Sequence, residues 1–221
     1  MKVLIQIFQE NTISNKKNKR GDKNKRMKKH IIESKKYGNK EVLVDEEDYD
    51  LVDGIKWTAL KDSKKENKFY IKRNINSRYV IDPKTGKRKQ KQDSQQLHRE
   101  IIKRMLNLQD KDLKGMHVDH INGNTLDNRR DNLRLVTPQQ NQWNRGPQIN
   151  NTSGYKGVRW HKRDQKWRAE AGYKCEQTGK SKIKHIGSYD DKEEAVRAYD
   201  RWVIANCDEY AYTNFPREDY E

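Results

Sequence analysis

Between Asn144 and Gly154 the chain reads "NRGPQINNTSG", a run of Pro, Gly, Asn and Ser signals that interrupts any regular element and reads as a linker over residues 146–154. Beyond it a new pattern of short strands and a helix begins, so the chain is expected to form two small bodies. Apolar content limits their size: at 31% of 221 residues, neither side can build a large core.

Charge narrows the partners. The formal net charge is +16, from 49 Lys and Arg against 33 Asp and Glu, which favours a polyanion such as nucleic acid or an anionic membrane surface. Residues 1–40 hold 13 of the basic groups and 3 of the acidic ones, or +10 of the total. Their centre, "NKKNKRGDKNKRMKK", has no apolar periodicity. Residues 1–40 are therefore expected to be a disordered basic tail that touches phosphates, or a solvated extension ahead of a start at Met27. "MKVLIQIF" is too short an apolar run for a signal peptide or a membrane span, so a cytoplasmic protein is expected. Cys175 and Cys207 lie 32 residues apart with no CxxC, and both are expected to be reduced and structural.

In the first body, "EVLVDEEDYDLVDGIKW" predicts a strand, a short acidic helix capped by Asp45, and a second strand at Trp57; "KFYIKRN" and "SRYVID" predict further strands. Leu97, Ile101, Met105 and Leu108 recur at helical spacing and predict a helix with that face in the core. In "GMHVDHINGNTLDNRRDNLRLVTPQQNQWN", Gly115 to Asn144, "HVDHI" suits a strand, "NGN" a turn and "NLRLV" a second strand. Thr137, Pro138 and Gln140 mark a capped helix start. Asp119 and His120 then lie on the first strand, Asn132 enters the second, and Asn141 sits in the first helical turn, so three elements can converge.

That convergence has a chemical use. Phosphodiester cleavage needs a base to deprotonate water and a cation to neutralise the phosphate. His120 is the natural base, while a carboxylate and an amide oxygen from Asp119 and Asn141 suit a hard cation that keeps several waters. Adjacent strand residues point to opposite faces, so the pair works only if the strand ends or twists at "INGN". Taken singly, these residues have ordinary roles, and Asp127 and Asn128 read as turn chemistry.

As a set, "DHINGN", "LDNRRDNLR" and "QNQWN" resemble the HNH endonuclease family in the branch found in phage and intron-encoded enzymes. The resemblance implies a ββα-metal unit in which His120 is the general base, Asp119 and Asn141 bind the metal, and Asn132 holds the loop and imidazole in place. The last position is Asn rather than His, which favours Mg²⁺ (or Mn²⁺) over zinc. His98, in "LHRE", matches a His-Arg that precedes the unit in this branch and is expected to contact phosphate or to buttress the site.

The second body reads as three short strands and one helix. Val158, Trp160, Trp167 and Ala169 alternate in pairs, and Ala195, Ala198, Tyr199, Trp202 and Ala205 recur at helical spacing. Residues 151–184 carry 10 basic and 3 acidic groups, and residues 185–221 carry 4 and 10, so a positive sheet and a negative helix are expected. A basic sheet of this size can enter a DNA major groove. "YKGVRW", "KWRAE", "HIGSYDDKEEAVRAYD" and "NFP" resemble the ethylene-response-factor (APETALA-type) DNA-binding domain. Arg159 and Glu170 match that family's DNA-facing sheet, with Lys156 in place of an Arg and His185 in place of a Trp. Arg163 and Arg168 are expected nearby.

The expected organisation is therefore an α+β chain: a tail over 1–40, an HNH domain over 41–145 with its catalytic unit at 116–145, a linker over 146–154, an APETALA-type domain over 155–216 and a short tail over 217–221. The expected function is a homing-type endonuclease that cuts double-stranded DNA with a divalent metal, in a bacterial or phage-infected cell, with no protein partner implied. The alternative is a non-catalytic DNA-binding regulator that retains the nuclease fold.

Overall fold

The computed structural model describes residues 26–62, 67–174 and 178–220 of an α+β protein. Residues 1–25 of the expected tail, and Cys175, lie outside the described residues. The chain divides into two compact units, one from the residues up to Lys114 together with Val118–Leu135, the other from Gly115–His117 together with Val136–Glu221. The border at Leu135/Val136 precedes the stretch expected to be a linker at 146–154.

The first unit opens with a hairpin of β1 (Met27–Ile32) and β2 (Lys40–Asp45), antiparallel with His30 opposite Val42. β1 and the start of β2 fall within the stretch expected to be a tail. Alternate residues Lys28, His30 and Ile32 turn inward, and a partner strand carrying Val42 and Val44 supplies the apolar surface that β1 lacks. A 3-10 turn at Glu46–Leu51 follows. Asp45 stands at its N-cap position but does not cap it; its carboxylate accepts from the Arg130 N–H at 2.8 Å instead.

β3 (Thr58–Lys61), β4 (Phe69–Ile81) and β5 (Arg88–Gln96) form an antiparallel sheet in that order. "KFYIKRN" and "SRYVID" are one continuous strand, irregular between Asn74 and Ser77. The sequence "RKQKQDSQQ" of β5 contains no apolar residue, so its pairing rests on the main chain. Helix α1 (Leu97–Leu106) buries Leu97, Ile101 and Ile102 against this unit's core, with Ile71, Val42, Val44 and Val52. It stops before Leu108 because Asn107 turns left-handed at φ 52°, and Met105 is only half-buried. β6 (His117–His120) and β7 (Leu133–Val136) pair as a two-stranded sheet.

The second unit contains α2 (Pro138–Trp143), whose capping box forms as its sequence requires: Thr137 Oγ1 accepts from the Gln140 N–H at 3.2 Å, and Gln140 Oε1 from the Thr137 N–H at 2.8 Å. β8 (Val158–His161), β9 (Lys166–Lys174) and β10 (Ser181–Tyr189) make a three-stranded antiparallel sheet, with Val158 opposite Ala169 and Trp160 opposite Trp167. Helix α3 (Lys192–Cys207) packs Ala195, Val196, Tyr199, Val203 and Cys207 onto it, whereas Ala205 is exposed. Trp143 packs against the same core, and its carbonyl accepts from the Tyr212 N–H at 3.0 Å.

A buried carboxylate closes the far end of this unit. Asp200 accepts from the Asn214 and Phe215 N–H groups at 2.9 and 3.0 Å and from the Tyr220 hydroxyl at 2.8 Å, so the expected C-terminal tail is tied down through Tyr220. The Asn214 side chain accepts from the Lys156 N–H at 2.7 Å and donates to its carbonyl at 3.1 Å. Beside it, Gly157 has φ +76°, and a Cβ there would lie 2.0 Å from the Tyr199 ring. Gly157→Ala must displace a buried tyrosine while adopting an unfavourable backbone, and is expected to cost about 2–4 kcal/mol. Urea denaturation measures this directly; a loss below about 0.5 kcal/mol, within the range of ordinary surface changes, would contradict the packing.

Candidate nuclease centre and candidate nucleic-acid face

β6 ends at His120, where the Gly123 N–H donates to the His120 carbonyl at 2.9 Å and the Ile121 N–H to the Asn132 carbonyl at 2.8 Å. Both Asp119 and His120 are buried, and they meet different neighbours, as strand alternation requires. The Asp119 carboxylate receives the Arg134 guanidinium at 2.9 Å from across the two-stranded sheet. The His120 imidazole stands against His98 and Tyr70, with ring centroids 5.2 and 6.5 Å away.

Asn128 orients that imidazole. Its Nδ2 donates toward the Leu126 carbonyl at 3.2 Å, so its Oδ1 faces His120 Nε2, 3.3 Å away. An amide oxygen can only accept, so this pairing calls for the proton on Nε2. Burial lowers the His120 pKa, more than the Asn128 bond raises it, and favours the neutral ring. His98 is driven further, to about 3, by burial first and then by the neighbouring His120.

Asn132 spans the loop between β6 and β7: its Oδ1 accepts from the Asn122 N–H at 2.9 Å and its Nδ2 donates to the Asp127 carbonyl at 2.7 Å. Burial opposes ionisation of Asp127, but the Arg129 guanidinium outweighs it and holds the carboxyl low. Main-chain bonds at 2.9 and 2.8 Å join Leu43 of β2 to Leu126 and Asn128, and Thr125 donates to the Phe69 carbonyl of β4 at 2.6 Å. Sequence reading missed Asn128, Arg134 and Tyr70. Asn128 was readable only as turn chemistry, and neither of the others carries a local signal.

Asn141 lies in the second unit, where its Nδ2 stands 2.8 Å from His117 Nδ1, so the atom it can offer a cation is Oδ1. Lys156, expected on the DNA face, turns elsewhere within the same unit. Its ammonium reaches the Gln142 and Trp143 carbonyls at the end of α2, and burial pulls its pKa down to about 8.

Four of the other expected DNA-facing side chains do share the outer face of the sheet. The pairings of Arg159 with Arg168 and of His185 with Glu170 place them together. Arg159 grips Glu170 through two bonds of 2.8 and 3.0 Å, and His185 Nδ1 lies 3.8 Å from the same carboxylate. Arg163 projects from the turn between β8 and β9 with its side chain 89% exposed and pairs with Asp164, which also holds Arg168.

Comparison with known proteins agrees with both regions. Residues 112–143 match the HNH endonuclease family, and residues 153–209 match the AP2 domain. An uncharacterised HNH endonuclease of Acanthamoeba polyphaga mimivirus is 33% identical over 119 residues, 54% of this chain and 57% of the relative. Protein 3.8 of Escherichia phage T7 is 49% identical over 55 residues, 25% of this chain and 46% of the relative. The chain thus spans about half the length of the curated relatives it matches. No solved structure gives a significant match. Among the described residues, no helix is long and apolar enough to cross a membrane. The chain thus carries one segment, 112–143, that matches the HNH endonuclease family and a second, 153–209, that matches the AP2 domain.

Proposed function

We propose that this chain is a DNA endonuclease of the homing type, which hydrolyses a phosphodiester at a site selected through its AP2 domain and leaves 5′-phosphate and 3′-hydroxyl ends. The observation that carries this reading is the buried imidazole of His120, faced by Asn128 Oδ1 within the segment that matches HNH endonucleases. In the proposed ββα-metal unit, His120 takes a proton from the attacking water. Asn132 holds the loop that carries Asn128, and so holds the ring. His98, neutral and packed edge-on to His120, buttresses it without adding a charge.

The donor set fits a hard cation. Asp119 and Asn141, the positions the HNH resemblance assigns to the metal, both offer oxygen, the donor a hard cation prefers. Mg²⁺ or Mn²⁺ bound by these residues would neutralise charge on the phosphate and the leaving oxygen. Arg134 holds the Asp119 carboxylate in place. Double-stranded DNA is the proposed substrate, with Arg159, Arg163, Arg168, Glu170 and His185 as the proposed reading surface and Lys156 as its support.

The test is cleavage of host genomic DNA with mapping of new ends. His120→Ala and Asp119→Ala are each expected to reduce the rate by about 10²-fold or more while DNA affinity stays near wild type. EDTA should abolish cutting and Mg²⁺ or Mn²⁺ restore it. Full activity of His120→Ala would overturn the assignment, and DNA binding without any cleavage would favour the regulator instead. A second expectation concerns pH. His98 has a folded pKa of about 3 against an ordinary 6.5, so the unfolded chain binds its proton first. Stability should fall as pH drops from 6.5 towards 3, and His98→Gln should flatten that part of the curve by one proton. Equal slopes in denaturant titrations of the two proteins would contradict the burial.

A further inference from the structure

Beyond both matched segments, β4 and β5 form a ribbon with an unusual surface. β3 accompanies β4 only at Phe69–Lys72, so from Ser77 onward the ribbon is two strands wide, and its side chains are largely exposed on both faces. An isolated hairpin of this kind is ordinarily marginal. Here cross-strand contacts stiffen it: the Arg88 guanidinium lies 4.0 Å from the Tyr79 ring centroid, Gln90 bonds Ser77, and Asp82 accepts from the Lys84 and Thr85 N–H groups at 2.9 and 3.2 Å to fix the turn.

The two faces differ. Lys89 and Lys91 alternate along β5, and Lys87, whose carbonyl accepts from the Asp82 N–H at 2.9 Å just ahead of the strand, continues their spacing; Arg78 stands opposite Lys91. The acidic group at the root of that face, Asp93, is already paired with Arg78 at 3.0 Å. Among the described residues the three lysine side chains have no ion pair or hydrogen bond. Their spacing along the strand is about 6.6 Å, close to two base-pair steps of about 3.4 Å along a duplex.

We propose that this ribbon is an additional DNA-binding arm, in which Lys87, Lys89 and Lys91 follow the phosphate backbone of duplex DNA. The inference rests on DNA being the substrate. It adds an element that supplies affinity without sequence preference, because phosphate contacts position a protein and carry no base information. The competing role is protective: lysines on an edge strand also discourage strand-to-strand aggregation.

The full-length protein with Lys87→Gln, Lys89→Gln and Lys91→Gln separates the two. Binding to a duplex of random sequence is followed by fluorescence anisotropy in EDTA across a salt series. If the lysines touch phosphates, the slope of log affinity against log salt becomes shallower by about 2–3, affinity at about 0.1 M salt falls at least tenfold, and the corresponding three-arginine variant recovers both. Preference among target sequences stays unchanged. An unchanged slope overturns the arm, and an unchanged slope with new aggregation by light scattering assigns the lysines to edge protection. A wild-type protein that shows no salt-dependent DNA binding overturns the proposed function together with the arm, whereas wild-type binding with an unchanged variant slope overturns the arm alone.

Discussion

The Arg130–Asp48 ion pair holds the first unit's site loop in place. Asp48 is fully buried and takes the Arg130 guanidinium through bonds of 2.7 and 2.8 Å, with Glu47 adding a third at 2.7 Å and Asp45 receiving the Arg130 N–H. Removing one member of such a pair strands a charge in the interior, which is why its loss costs far more than its presence contributes. The pair joins the 3-10 turn after β2 to the end of the loop that carries Asn128 and Asn132. Together with the Leu43 and Thr125 bonds, it makes the orientation of the His120 ring a property of the N-terminal hairpin as much as of the HNH segment.

The second unit uses the same economy with a different group. Asp200, within α3, accepts from the chain end and from the Asn214 segment, and Asn214 in turn holds the main chain of Lys156 on both sides. That fixes the backbone from which Lys156 reaches α2. The AP2 sheet and the helix that bears Asn141 are therefore parts of one packed body, joined through Trp143, Tyr212 and Lys156.

Local signals in the sequence were read well where one short segment contains the whole cause. The Thr137–Gln140 capping box and the pairing of Val158 and Trp160 with Ala169 and Trp167 are of this kind. Signals that need a distant partner were not legible. β1 and β5 lack apolar alternation and are strands because β2 and β4 pair with them. Asp45 looks like a cap until Arg130, 85 residues later, claims it. Lys156 stands where a DNA contact was expected, yet helix carbonyls brought to it by the fold offer its ammonium a closer set of acceptors. The proposed catalytic set was legible as residue types, while Asn128 and Arg134, which contact two of its members, emerged only from the structure.

The integration of α2 into the second unit bears on how such chains can be recombined. A graft that borrows the AP2 segment from residue 153 onward would carry Lys156 without the carbonyls it covers and would open the place in the core that Trp143 fills. Conversely, a nuclease segment cut at Arg145 would expose the Trp143 side chain to water. The border between the two compact units lies instead near Leu135 and Val136, inside the segment that matches the HNH endonuclease family. Any exchange of the AP2-like part would have to carry α2 with it.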